Sequence, residues 1–322
     1  MQYDWPLEQA RAYHPDLPVP DDLEQFWQAT LAQGGGPVEL TEVDNGLLAV
    51  ETFDVTFGGF AGHPVRAWLH LPAAALRSGT LAGVVQFQGY NGGRGLPHEH
   101  VFWATAGYAH LVVDTRGQGS GWTVGATGDP SGTGGPAQPG FLTRGLEDPR
   151  AFYYRRAFAD AVHAVAALSE HDLVDRRRVV VSGVSQGGGL ALAAAALAPT
   201  PVAAVLCDVP FLCDFPRAAR IAQSDPYLEL SRYLAAHRDR VDQAFATLAY
   251  FDGAVLARRA TAPALFSVAL MDRICPPTTV FAAYNSYAGP KDIEVYEFND
   301  HEGGEAFQRD RQLAWLRRKL TS

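Results

Sequence analysis

A serine with glycines two positions away on either side, Gly183-Val-Ser185-Gln-Gly187, follows the apolar run 178–181 and opens an Ala-rich stretch at 188–198. Strand, motif and helix come in the order of a nucleophile elbow. A sharp strand-to-helix turn there strains the serine backbone, and only small residues at 183 and 187 let the flanks pass closely. The turn would expose the Ser185 hydroxyl. It would also aim the Gln186 backbone N–H, at the positive end of the following helix, where an oxyanion forms. A glycine-rich turn with an incidental serine is the plain alternative. A dinucleotide-binding turn is a sharper rival, since Gly183, Gly187 and Gly189 also fit it and Tyr287-x-x-x-Lys291 could serve as its catalytic pair. However, Ala288-Gly289-Pro290 breaks the helix that pair needs, and the glycines come after several strands instead of the first.

A serine hydroxyl is a weak nucleophile and needs a base, which in turn needs an acid to fix its tautomer. In chain order the acid and then the histidine should follow the serine. The apolar run 264–270 ends in Met271-Asp272-Arg273, and the run 293–298 ends in Asn299-Asp300-His301-Glu302-Gly303-Gly304. His301 is therefore the candidate base and Asp272 its orienting acid. Asp300 competes for that role but adjoins the histidine too closely. Against these stand a surface histidine and an Asp272 that merely caps the run beginning at Pro276. A second oxyanion donor is expected in Gln88-Gly89-Tyr90-Asn91-Gly92-Gly93, with the Tyr90 N–H as candidate and its ring lining the acyl pocket; a simple tight turn is the alternative. The chemistry is acyl transfer with neither metal nor organic cofactor. His98-Glu99-His100 lacks further ligands for a metal, and Cys275, beside two prolines, lacks an elbow that would activate it.

The elements that must position these groups read as a β-hairpin (48–57 and 63–71, joined by Gly58-Gly59) followed by alternating strands and helices. Strands are expected at 82–87, 109–113, 178–181, 202–206, 264–270 and 293–298, near-continuously apolar and so buried on both faces. Helices are expected at 102–106, 153–169, 188–198 and 305–319. The pattern predicts an α/β fold of the α/β-hydrolase type, with a mostly parallel twisted sheet of about eight strands and flanking helices. A single domain is expected to span 1–322. Within it, 1–40 forms an extension carrying an amphipathic helix at 21–32 that opens on an Asp-Asp cap, and 208–259 forms a helical cap insertion. The Gly- and Pro-rich interval 117–149 is too long for an ordinary connection and reads as a functional or interface loop, or as a flexible excursion.

A formal charge of −9 argues against a nucleic-acid partner, and no apolar stretch approaches a membrane span. Three cysteines suit a reducing compartment, and the amino-terminal residues lack the features of a secretory signal, so a cytoplasmic location is expected.

Six segments in order give the chain a wider resemblance: Gln88-Gly89-Tyr90-Asn91-Gly92, Asp114-Thr115-Arg116-Gly117-Gln118-Gly119, Tyr153-Tyr154-Arg155-Arg156, Gly183 to Gly189, Met271-Asp272 to Pro277, and His301-Glu302-Gly303-Gly304. Together they resemble carbohydrate esterase family 7, the acetyl xylan esterases and cephalosporin C deacetylases. The resemblance implies a triad of Ser185, Asp272 and His301 and an oxyanion hole of the Tyr90 and Gln186 N–H groups. It further implies small acetylated substrates and a homohexamer. Arg116 is expected to brace loops under the site. Pro226 and Tyr227, in a segment that departs from the family's Gly-Pro-Tyr form, are candidate substrate contacts. An acyl peptidase or longer-chain esterase of the same fold is the nearest alternative, and a non-catalytic binding protein is an alternative of another class.

Overall fold

The computed structural model describes residues 3–130 and 139–320. Residues 131–138, within the long interval expected to be a loop, lie outside the described residues. Helices Leu7–Arg11 (α1) and Leu23–Leu31 (α2) precede strands Val38–Val43 (β1), Val50–Gly58 (β2), Pro64–Pro72 (β3) and Leu81–Phe87 (β4). Then come Phe102–Thr105 (α3), Ala109–Val113 (β5), Tyr153–Ser169 (α4), Val174–Val184 (β6), Gln186–Leu197 (α5) and Ala204–Asp208 (β7). Between β7 and Ala264–Ala269 (β8) run the helices Phe215–Ile221 (α6), Tyr227–Ala236 (α7), Val241–Leu248 (α8) and Gly253–Leu256 (α9). Pro277–Ser286 (α10), Lys291–Tyr296 (β9) and Glu305–Leu320 (α11) complete the chain.

The strands form one sheet in the order β1-β2-β3-β5-β4-β6-β7-β8-β9. β1, β2, β3 and β5 pair antiparallel, and β5 through β9 are parallel along the sheet. The inner parallel strands are buried because helices cover both faces. On one, α4, α5 and α10 enclose a large apolar cluster with Phe158, Leu190 and Phe281; on the other, Trp103 of α3 packs with Trp315 and Leu316 of α11. α5 is apolar on all sides because α4, β6, β7 and α9 surround it.

Three sequence expectations are corrected. The sheet has nine strands, since β1, whose residues are mostly exposed, adds an edge strand within a stretch that carried no clear apolar alternation. The last strand is the opposite edge and only partly buried, and Phe298 beyond it is 81% exposed, so that run is not sealed on both faces. The Asp-Asp pair before α2 does not cap it: Asp22 makes no side-chain bond to the helix and instead accepts from the Tyr250 hydroxyl.

Candidate active site

The candidate triad and Tyr90 sit where parallel strands give way to their carboxyl-end loops. Ser185 follows β6, Tyr90 follows β4, Asp272 follows β8 and His301 follows β9. Ser185 lies at φ 59°, ψ −121°, a strained conformation held by its neighbours. Its N–H donates to the Asp208 carbonyl at 2.9 Å, and its carbonyl accepts from the Phe211 N–H at 3.0 Å. The glycines are a steric necessity. A Cβ on Gly183 would lie 2.1 Å from the Gly187 carbonyl carbon, and one on Gly187 would lie 2.2 Å from the Phe87 carbonyl oxygen.

Asp272 is fully buried, and its two oxygens divide their work. Oδ2 lies 2.8 Å from His301 Nδ1, while Oδ1 accepts the N–H groups of Ile274 and Cys275 at 2.8 and 2.9 Å. The carboxylate is thereby aimed, and the imidazole with it. Asp300 turns away and accepts the His301 and Arg273 N–H groups, which takes it out of competition for the ring. Ser185 and His301 line one cavity of about 440 Å³ with Gly89, Tyr90, Trp122, Pro139, Pro226 and Ile274 among its walls. Cys275 places its thiol 3.9 Å from the Ser185 hydroxyl, and burial pushes that thiol well above its ordinary pKa, so it stays protonated beside the serine.

Among the described residues, neither the Tyr90 nor the Gln186 N–H has a hydrogen-bond partner in the chain, which leaves both donors free at the elbow. The side chains behind them are fully engaged. Gln186 Oε1 accepts from Tyr154 Oη at 2.8 Å and from Gln118 Nε2 at 2.9 Å, and Gln118 Oε1 accepts the Asn91 N–H at 2.7 Å. Gln118 therefore couples the two candidate donor segments from below. Asp114 accepts the N–H groups of Arg94 and Thr127, and Arg116, fully buried, makes a two-point contact with Asp160 of α4 at 2.5 and 2.6 Å. The 114–118 segment is thus a brace, in keeping with the expectation for Arg116. Glu302 touches Asn299 through a 2.6 Å amide contact and shapes the His301 loop.

Of two aromatic candidates, one lies where expected and one does not. The Tyr90 ring lines the cavity, but its hydroxyl donates to Glu229 at 2.6 Å and accepts the Phe141 N–H at 2.9 Å. Burial raises the pKa of both Tyr90 and Glu229, and the pair ties α7 to the chain at 140–142. Glu229 was not visible in the sequence as part of the site, because nothing in a helical stretch signals a carboxylate reaching into another loop. Tyr227 is not a substrate contact. It is fully buried, meets Phe211 edge-to-face, and spends its hydroxyl on the Cys213 backbone, whereas Pro226 beside it does line the cavity.

His98, Glu99 and His100 do not converge as metal ligands. The one cluster of ligand-type atoms among the described residues is Asp272, Cys275 and His301. No helix among the described residues is long and apolar enough to cross a membrane.

The chain is similar to known proteins along nearly its whole length. An acetyl xylan esterase from Paenibacillus sp. R4 superposes with TM-score 0.88 at 36% identity, covering 98% of this chain and 99% of that one. Acetyl xylan esterase 1 from Thermoanaerobacterium sp. JW/SL YS485 gives 0.88 at 32%, again over 98% and 99% of the two chains. The acetyl esterase Axe7A of Xylanibacter ruminicola is 28% identical over 229 residues, 70% of this chain; the chain spans about half (49%) of that longer relative. The family model for acetyl xylan esterase (AXE1) matches residues 1–319, and the chain, an α/β-hydrolase fold, belongs to that family.

Proposed function

We propose that this protein is a serine esterase that removes O-acetyl groups from small acetylated substrates such as xylo-oligosaccharides or cephalosporin C. The observation that carries the reading is the 2.8 Å pair of Asp272 and His301 in the same cavity as a serine held in elbow geometry. His301 takes the Ser185 proton, and the oxygen attacks the acetyl carbonyl. The developing oxyanion is received by the Tyr90 and Gln186 N–H groups, each such donor contributing roughly 3 kcal/mol to the transition state. His301 then protonates the departing alcohol, and water activated by the same imidazole clears the acetyl-serine. Asp272 holds Nδ1 as the proton-bearing nitrogen, which leaves Nε2 to take up and return the proton.

The walls favour a short acyl chain. Tyr90, Pro139, Pro226 and Ile274 enclose the serine, and Tyr90 cannot swing aside without breaking its bonds to Glu229 and Phe141. Initial rates on p-nitrophenyl acetate, butyrate and octanoate test this: acetate should dominate, and an octanoate preference would favour a longer-chain esterase. The homohexamer of the resembling family belongs to the same reading, and light scattering would check it.

A further inference from the structure

A second cavity, of about 700 Å³, opens on the other side of the elbow, between the carboxyl ends of β4 and β6 and the helices α3 and α11. It shares Gly89, Trp122 and Val184 with the serine cavity, so the two are adjoining rooms with one common border. Trp122 and Val184, both exposed, form an open rim between them. The Trp122 indole N–H donates to the Tyr90 carbonyl at 3.0 Å, and its ring lies so close to Gly92 that a Cβ there would be 2.3 Å from Cζ2. The ring is fixed in place yet 58% exposed.

The lining of this cavity is chemically distinct. Gln86, Gln88, Gln308 and Gln312 contribute amides, and Phe102 and Trp103 contribute apolar surface. Most of the amides are already satisfied: Gln86 bonds His110, and Gln308 and Gln312 both donate to the buried Asp208 carboxylate at 2.7 and 2.6 Å. Gln88 is the exception, since its side chain is only 2% exposed and its Nε2 has no partner. An unsatisfied buried amide is costly, and a ligand oxygen accepting from it would recover that cost. Nε2 of His100, also on this wall, is likewise buried and unpartnered. Carboxylates (Glu99, Asp208, Glu302 and Glu305) outnumber the one cation, Arg309. Such a field repels anions and leaves neutral hydroxyl-rich molecules as the fitting guests.

We propose that this second cavity is the alcohol-side subsite and receives a neutral glycosyl unit of the acetylated substrate, with Gln88 donating to a sugar oxygen and the substrate crossing the exposed Trp122 rim that borders the serine cavity. This rests on the esterase reading above and narrows it: neutral acetylated sugars are preferred over acetyl esters of carboxylate-bearing alcohols. Its size falls in the ~300–1,000 Å³ range of small-molecule sites.

The test compares kcat/KM on acetylated xylotriose with kcat/KM on p-nitrophenyl acetate, whose alcohol is too small to fill the second cavity, for the wild type, Gln88→Leu and Val101→Trp. Gln88→Leu removes the donor at similar volume, and Val101→Trp fills the cavity from its α3 side. Each variant is expected to lose at least tenfold more on acetylated xylotriose than on p-nitrophenyl acetate, chiefly through KM. Equal losses on both substrates in the variants that fold, or a wild type that hydrolyses p-nitrophenyl acetate but not acetylated xylotriose, would overturn the subsite. A wild type inactive on p-nitrophenyl acetate would instead overturn the esterase reading itself.

Discussion

Asp272 does two jobs with two oxygens, and they come apart under substitution. Asp272→Asn retains the volume and an oxygen for the Ile274 and Cys275 N–H groups but presents an amide N–H to His301 Nδ1. The imidazole then settles in the wrong tautomer, and turnover of p-nitrophenyl acetate should fall by about 10⁴ with little change in the unfolding midpoint. A loss of less than tenfold would show that another acid orients the ring. At this scale the sequence was legible where physical necessity leaves few choices. Gly183 and Gly187 are the only residues the elbow tolerates, and the strand-end loops narrowed ten histidines to His301. It was not legible where a residue type serves equally well in a core: Tyr227 reads as a site aromatic, yet lies buried against Phe211 and Cys213.

The elements around the site carry their own tests. Gly187→Ala places a Cβ 2.2 Å from the Phe87 carbonyl, so β4 and β6 must separate or α5 must shift. We expect a stability loss of roughly 2 kcal/mol or more, together with lost activity, in urea unfolding and rate assays. β3 and β5 place His70 opposite His110 in the sheet, both buried. Burial lowers the His70 pKa to about 4, below its ordinary 6.5. The neutral folded form is therefore stabilising above pH 6.5, and that contribution, about 3 kcal/mol, is lost as pH falls toward 4. Asp208 acts with the opposite sign, since burial raises its carboxyl pKa to about 6 and favours the folded state more at the acid end. His70→Gln should consequently flatten the fall of stability on the acid side, measured by urea unfolding from neutral pH down to about pH 4; an unchanged slope would mean that His70 does not titrate on unfolding. Strand periodicity located the inner strands because two-sided burial leaves apolar runs. It missed β1, since an exposed edge strand of Val, Glu, Leu and Thr carries no such constraint.

Across the whole molecule, distant segments converge to hold the site loops still. Arg116, Asp129, Asp160 and Arg156 form a buried charge network that joins the chain after β5 to α4, and Asp160 also accepts the Phe60 N–H from the hairpin. Arg116→Ala would leave buried carboxylates uncompensated, at a cost of about 3–5 kcal/mol readable as a large drop in the denaturant midpoint. A midpoint near wild type would mean that water satisfies them. The amino-terminal residues act in the same way. The Tyr3 hydroxyl donates to the Asp272 carbonyl, and Asp4 accepts the N–H and hydroxyl of Thr278 at the start of α10, directly after the loop that carries the acid. These long-range pairings have no local signature, so the sequence presented the first residues only as an extension. The chemistry nevertheless turns on one oxygen. Initial rates of p-nitrophenyl acetate hydrolysis by the wild type and Ser185→Ala test it most directly: the variant should lose on the order of a millionfold in turnover while unfolding like the wild type, and a variant that keeps its activity would contradict the assignment of Ser185 as nucleophile.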